Sequence, residues 1–180
     1  TRRLSSAASD VYKRQGIESS CDETSVSVVR EKTKYDQEIL SNIVNSQEKI
    51  HEKFGGVIPE IAARSHSMVI DKLIQSALKK AKINLDEVDA VAATAGPGLL
   101  GGLIVGVVAA KTLASVINKP FIAINHLEGH ALSAKLEHKI KYPYLLLLVS
   151  GGHTEFTIIK GFNNYLRIGT TLDLSLIHIS

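Results

Sequence analysis

Two short hairpins 130 positions apart repeat one another, and that repetition constrains the fold more than any other feature of the chain. In the first, Gly16 to Val29, the run Ser25-Val26-Ser27-Val28 alternates with the period of a half-buried strand. In the second, Tyr142 to Val149 is a strongly apolar strand, Ser150-Gly151-Gly152-His153-Thr154 is its turn, and Glu155 to Lys160 returns with alternation. Ser20 matches Ser150, Thr24 matches Thr154, Val26 matches Phe156, Ser27 matches Thr157 and Val28 matches Ile158. Serine- and glycine-rich tips at the starts of two βββαβα units point to a duplicated α/β domain pair facing a nucleotide.

Between the hairpins the pattern fills in one such unit. Glu38 to Ser46 reads as a third, edge strand after a charged turn, and His51 to Glu60 reads as a loop. Pro59 suits a first helical position. From there to Ala81 the side chains of Val69, Ile70, Leu73, Ile74, Ala77, Leu78 and Ala81 share one face, and Glu60 and Arg64 are spaced to pair. His66 extends the apolar face and reads as a satisfied, partly buried histidine; His51 falls on the loop. Asp89 to Ala95 is an apolar strand, Leu103 to about Asn118 an apolar helix, and Phe121 to Asn125 a further strand.

The link Gly96-Pro97-Gly98-Leu99-Leu100-Gly101-Gly102 spells G-x-G-x-x-G between a strand and a helix, the position of a dinucleotide loop. No acidic residue follows at the end of the next strand, and Pro97 removes a backbone donor. Close packing of the helix on the sheet through small residues accounts for the glycines equally well. Lys111, in the same helix, reads as solvated, with a phosphate as the alternative.

The candidate chemistry lies at two places. His126 and His130, in His126-Leu127-Glu128-Gly129-His130, are four residues apart at the carboxyl edge of a strand. On a helix they share one face, one turn apart, as two ligands for zinc or ferrous iron. The alternative is two ordinary helix histidines. The tip Ser19-Ser20-Cys21-Asp22-Glu23-Thr24 offers backbone N–H groups and hydroxyls to a phosphate, with Asp22 or Glu23 for a divalent ion or a proton; a plain hairpin turn is the alternative.

Composition narrows the partners and flags the ends. Residues 16–173 carry 17 basic and 17 acidic side chains, so the body makes no global electrostatic case for nucleic acid. No apolar run is long enough to cross a bilayer. The single cysteine, Cys21, excludes an intramolecular disulfide and fits a reducing compartment. Thr1 to Gln15 abuts a strand with no linker, and Leu174 to Ser180 interrupts a polar loop with an apolar run. Both read as translated adapter or vector sequence and stand outside the expected fold.

Four segments, taken together, resemble the TsaD/Kae/Gcp family of tRNA threonylcarbamoyltransferases. They are Gly16 to Thr24, His51 to His66 with Gly55-Gly56 and Pro59-Glu60 inside it, Ala95 to Leu99, and His126 to His130 followed by Ser150 to Thr154. The resemblance implies the actin-like ATPase (sugar kinase, actin, heat-shock) fold. Residues 16–140 would be the first lobe and 141–173 the start of a truncated second lobe, flanked by tails at 1–15 and 174–180. It implies transfer of a threonylcarbamoyl group from threonylcarbamoyl-AMP to N6 of the adenosine 3′ of the anticodon, in tRNAs reading codons that begin with A.

By the same resemblance His126 and His130 are metal ligands for iron or zinc, with a third, aspartate ligand outside the chain. Leu148, Val149, Ser150, Gly151 and Gly152 form the substrate-binding loop, and Asp22 and Glu23 the acidic, catalytic hairpin tip. The implied ligands are one divalent metal ion and threonylcarbamoyl-AMP or an adenine nucleotide. The implied partners are tRNA and proteins of the TsaB and TsaE type, in a cytoplasm or an organelle, with no membrane and with a fragment inactive alone. Rival readings are a metal-dependent glycoprotein endopeptidase and a non-catalytic nucleotide-binding scaffold. The endopeptidase reading suffers because Leu127, not glutamate, follows the first histidine.

Overall fold

Three-strand meanders stand at both ends of the described chain, and helices separate the strands between them. The computed structural model describes residues 11–33, 36–137, 140–150, 153–161 and 164–170. The chain divides into two compact units, Thr1–His126 and Leu127–Ser180. The division falls at the start of a helix, earlier in the chain than residue 140.

The first unit is a five-stranded mixed sheet. Strands β1 (Tyr12–Glu18), β2 (Glu23–Thr33), β3 (Asp36–Ser46), β4 (Ala90–Gly96) and β5 (Phe121–Asn125) lie in the order β3-β2-β1-β4-β5. The first three form an antiparallel meander; β4 and β5 add in parallel to β1. Parallel addition requires crossovers, and the helices supply them. After the short α1 (Glu48–His51) comes α2 (Pro59–Ala81), with proline in its first turn as expected, and α3 (Leu100–Val116) links β4 to β5.

Both long helices pack on one face of the sheet, and the spacing of their small and apolar residues explains why. Along α2 the residues Ala62, His66, Ile70, Ile74, Ala77 and Ala81 are buried, one per turn. They close over Ile17, Val26, Val28, Val91 and Ala93 of the strands. Along α3 the buried stripe is Gly102, Gly106, Ala110 and Ala114, so that helix approaches the sheet closely. Its opposite side leaves Leu100, Ile104 and Val108 exposed in a row. Lys111 holds its ammonium 5.5 Å from the Phe121 ring centroid, which favours neither a phosphate role nor full solvation. The Glu60–Arg64 pair forms at 2.7 Å.

β1 begins at Tyr12, inside the stretch that the sequence set apart from the fold. Gln15 is paired with Val28 on one side and Val91 on the other, and alternation turns its side chain to the helix-covered face with Ile17. It is fully buried, and among the described residues neither side-chain amide atom has a hydrogen-bond partner. A buried amide without partners costs free energy that an aliphatic side chain of similar volume does not. Gln15→Leu is therefore expected to stabilise the first unit by about 2 kcal/mol, read as a higher urea midpoint at unchanged slope.

The second unit opens with α4 (His126–Glu137, from Leu127 onward) and continues as an antiparallel meander, β6 (Tyr144–Ser150), β7 (His153–Gly161) and β8 (Asn164–Thr170), in the order β6-β7-β8. The repeat seen in the sequence holds in the hydrogen-bond register. Ile17 faces Val26 in the first hairpin, and 130 positions on Leu147 faces Phe156; Gly16 and Ser27 correspond likewise to Leu146 and Thr157. β8 is the third strand that a second βββαβα unit calls for, in a stretch to which the sequence reading gave no strand bounds. Inside this unit the Tyr144 hydroxyl donates to the Ala131 carbonyl at 2.5 Å, and the Tyr165 hydroxyl donates to Glu128 Oε1 at 2.6 Å. Among the described residues no helix is long and apolar enough to cross a membrane.

Candidate functional site

Parallel strands β1, β4 and β5 end side by side, and three polar side chains meet at that edge. Glu18 closes β1, Thr94 lies near the end of β4, and His126 follows β5. Carboxyl edges of such strands collect ligands because the chain leaves the sheet there and frees side chains to converge. Glu18 Oε1 accepts the Ser20 backbone N–H at 2.5 Å, and Oε2 accepts the Thr94 hydroxyl. Oε2 also lies 3.4 Å from His126 Nδ1, which is 3.2 Å from Ser20 Oγ.

Burial by itself pushes the Glu18 carboxyl up, but the hydrogen bonds from His126, Ser20 and Thr94 outweigh it and hold the group at about 2. The carboxylate is thus charged at any physiological pH. Beside it, Gly16, Ser25, Ser27, Ala92 and Ile124 line an open cleft of about 190 Å³ on the sheet face away from α2 and α3.

The hairpin tip is fixed from below by two devices. Ser19 donates through Oγ to the Gly102 carbonyl at 2.9 Å, and the Leu99 N–H donates to the Ser20 carbonyl at 2.7 Å. The glycine-rich link serves this contact. A Cβ on Gly98 would stand 2.7 Å from Ser20 Cβ, and one on Gly102 would fall on the Ser19 carbonyl oxygen. Its glycines pack helix against hairpin; a dinucleotide loop would instead turn its donors outward. The helix also begins at Leu100, three residues earlier than the periodicity predicted.

The second device is a chain of buried hydrogen bonds. His66 is fully buried. Its Nε2 is 3.1 Å from the Cys21 carbonyl, which only accepts, so Nε2 carries the proton. Nδ1 therefore accepts, from Thr24 Oγ1 at 2.7 Å and Gln47 Nε2 at 3.3 Å. His51 Nδ1 accepts the Ile58 N–H at 3.3 Å, so its Nε2–H donates to Gln47 Oε1 at 3.1 Å. His51 is thus a buried residue of α1 with two partners; the loop reading fails because Gln47 and Ile58 clamp its ring. The reading of His66 as a satisfied core histidine agrees with these contacts.

The other residues singled out are placed as follows. Asp22 stands at the tip, its carbonyl accepting the Gln47 N–H at 3.0 Å, and Glu23 opens β2 opposite Ser46, exposed. Partial burial and the neighbouring Asp22 carboxylate push the Cys21 thiol up to about 11, so it is no thiolate nucleophile at neutral pH. His126 opens α4 and His130 follows one turn later, exposed. Among the described residues no group of three or more His, Cys, Asp or Glu side chains is disposed to hold a metal, so the helix offers two imidazoles. Leu148 is buried in β6 opposite Glu155, and Val149 is exposed opposite Thr154. Ser150 ends β6, while Gly151 and Gly152 lie outside the described residues.

Sequence reasoning missed Glu18 and Thr94. The available signal was positional: alternation turns Glu18 away from the core face that Ile17 occupies, at the last residue of a strand beside the end of β4.

Comparison with known proteins places the chain. A family model described as TsaD, tRNA N6-adenosine threonylcarbamoyltransferase, matches residues 38–177. Curated relatives of that description include proteins from Bartonella bacilliformis, 58% identical over 158 residues, and Pelagibacter ubique, 56% identical over the same length. Those alignments cover 88% of this chain and 43% and 44% of the relatives, so the chain spans less than half the length of the proteins it matches. Among solved structures, YeaZ from Pseudomonas aeruginosa superposes with a TM-score of 0.58 at 16% identity, covering 88% of this chain and 64% of that one. The Aquifex aeolicus PPX-GPPA enzyme gives 0.51 at 13%, over 88% and 52%. These likenesses bear on the fold alone, and the fold is the actin-like ATPase fold expected from the sequence. On the match of its sequence to the family model, the chain belongs to the TsaD family of tRNA N6-adenosine threonylcarbamoyltransferases.

Proposed function

We propose that this chain supplies the first lobe of an enzyme that modifies tRNA. The enzyme moves threonylcarbamoyl from threonylcarbamoyl-AMP to N6 of the adenosine 3′ of the anticodon, in tRNAs reading codons that begin with A. The observation that carries the reading is the convergence of Glu18, Ser20, Thr94 and His126 at the carboxyl edge of the sheet, in a chain of this family. His126 and His130 would hold the divalent metal, iron or zinc. The donor set fits it: two imidazoles one helical turn apart, the first backed by a carboxylate, as metal-bound histidines commonly are. Such a metal supplies polarisation of the carbamoyl or phosphate oxygens.

The remaining work falls to the chain's own groups. Backbone N–H groups of Ser150, Gly151 and Gly152 hold the adenylate phosphate or the carbamoyl oxygen, with Leu148 and Val149 carrying that loop. Asp22 or Glu23 takes the proton released from the attacking amine. The exposed row Leu100, Ile104 and Val108 on α3 supports a protein partner of the TsaB or TsaE type. Glu128, which a protease reading would need at the metal, is engaged by the Tyr165 hydroxyl.

The test uses the full-length gene product with its partner proteins, threonine, bicarbonate, ATP and tRNA, followed by mass spectrometry of the tRNA nucleosides. Threonylcarbamoyl-adenosine is expected, with His126→Ala slowing its formation on the order of 10²-fold. Adenylate binding with no modified nucleoside would leave the scaffold reading in its place. Peptide cleavage abolished by the same substitution would leave the protease.

A further inference from the structure

We propose that Glu18 is the positioning residue for His126: its carboxylate fixes the imidazole in the Nδ1–H form and sets which ring nitrogen is presented for ligation. Among the described residues, Ser20 and Glu18 both face Nδ1. Ser20 Oγ, at 3.2 Å, either donates or accepts and so leaves the tautomer open. Glu18 Oε2, at 3.4 Å, is an ionised acceptor, and a bare Nδ1 would set lone pair against carboxylate. The proton therefore sits on Nδ1, shared between the serine hydroxyl and the carboxylate, and Nε2 is the basic nitrogen.

The carboxylate is itself held. Its Oε1 takes the Ser20 N–H, and its Oε2 takes the Thr94 hydroxyl from the neighbouring strand. Two segments far from His126 in sequence thereby fix its ring, and an acceptor that is both charged and tethered orients the ring through a single bond. Because an imidazole in water favours the other tautomer, the carboxylate also has a spectroscopic signature.

The inference deepens the metal reading above, and its first measurement needs no metal. In the metal-free full-length gene product labelled with ¹⁵N-histidine, long-range ¹H–¹⁵N correlation is expected to show His126 with a protonated Nδ1 and an imine-type Nε2 at pH 7.5. Glu18→Ala is expected to move it toward the Nε2–H form, with Glu18→Gln, whose amide oxygen still accepts, in between. Ser20→Ala is expected to keep the Nδ1–H form, and it stands in if Glu18→Ala does not fold. An unchanged tautomer in folded Glu18→Ala, or its loss in Ser20→Ala, overturns the proposal.

Zinc binding by titration calorimetry separates this from the metal reading. A 10- to 100-fold weaker Kd in Glu18→Ala supports both. A shifted tautomer with unchanged zinc affinity upholds Glu18 as the residue that sets the ring and overturns the metal reading alone.

Discussion

Replacing Gly102 with alanine is expected to cost the first unit about 3 kcal/mol, the largest loss from a single added methyl group among the described glycines. The added Cβ would fall on the Ser19 carbonyl oxygen and approach the His66 ring at 3.1 Å. Neither neighbour yields readily. Ser19 belongs to the backbone of the hairpin tip, whose Oγ bonds the Gly102 carbonyl, and His66 is fixed by bonds at both ring nitrogens. Relief requires moving α3 off the sheet, which opens the core between Ile17 and the helix. Gly129→Ala in α4 is the contrast: among the described residues nothing lies within 4 Å of an added Cβ, and removing a glycine from a helix interior gains about 0.5–1 kcal/mol. Urea melts of the two variants are expected to move in opposite directions.

The second large effect belongs to His66. His66→Leu keeps the bulk but leaves the Cys21 carbonyl and the Thr24 hydroxyl without their buried partner and takes from the Gln47 amide one of its two acceptors, a loss of about 3 kcal/mol. It also changes the response to acid. Burial holds the His66 pKa below its ordinary 6.5, so the unfolded chain takes up this proton first as the pH falls. The stabilisation is complete above about 6.5 and declines as the pH drops from there toward the folded-state value. In His66→Leu the midpoint is expected to fall less steeply between pH 6.5 and 5 than in the parent chain. An equally steep acid limb would assign the acid sensitivity to another group.

Much of the frame was legible in one sequence, for reasons particular to each element. β5 has the expected bounds because an apolar run between Pro120 and a helix leaves no other choice. α2 starts at Pro59 because proline fixes that turn, and the Glu60–Arg64 pair follows from helical spacing. The glycine link kept two readings, since glycine serves a phosphate and a close-packed helix alike; only the positions of Ser19 and Ser20 decide. His51 looked like a loop residue because the clamp on its ring includes the Ile58 N–H, a backbone contact that no side-chain periodicity records. Glu18 was passed over for the same reason in stronger form. Its contact with His126 spans 108 residues, and no local pattern records which strand ends become neighbours.

The matching registers of the two hairpins bear on how this chain behaves in solution. Ile17 and Val26, 3% and 0% exposed, lie beneath helices, whereas their counterparts Leu147 and Phe156 are 53% and 44% exposed. Leu145, Val149, Leu166 and Ile168 are also exposed on the same meander. A greasy plate of that size, bordered among the described residues by the unpaired edges of β6 and β8, is an invitation to stick. Prepared by itself, the polypeptide should scatter more light as it is concentrated, bind dyes such as ANS, and draw chaperones in a cell.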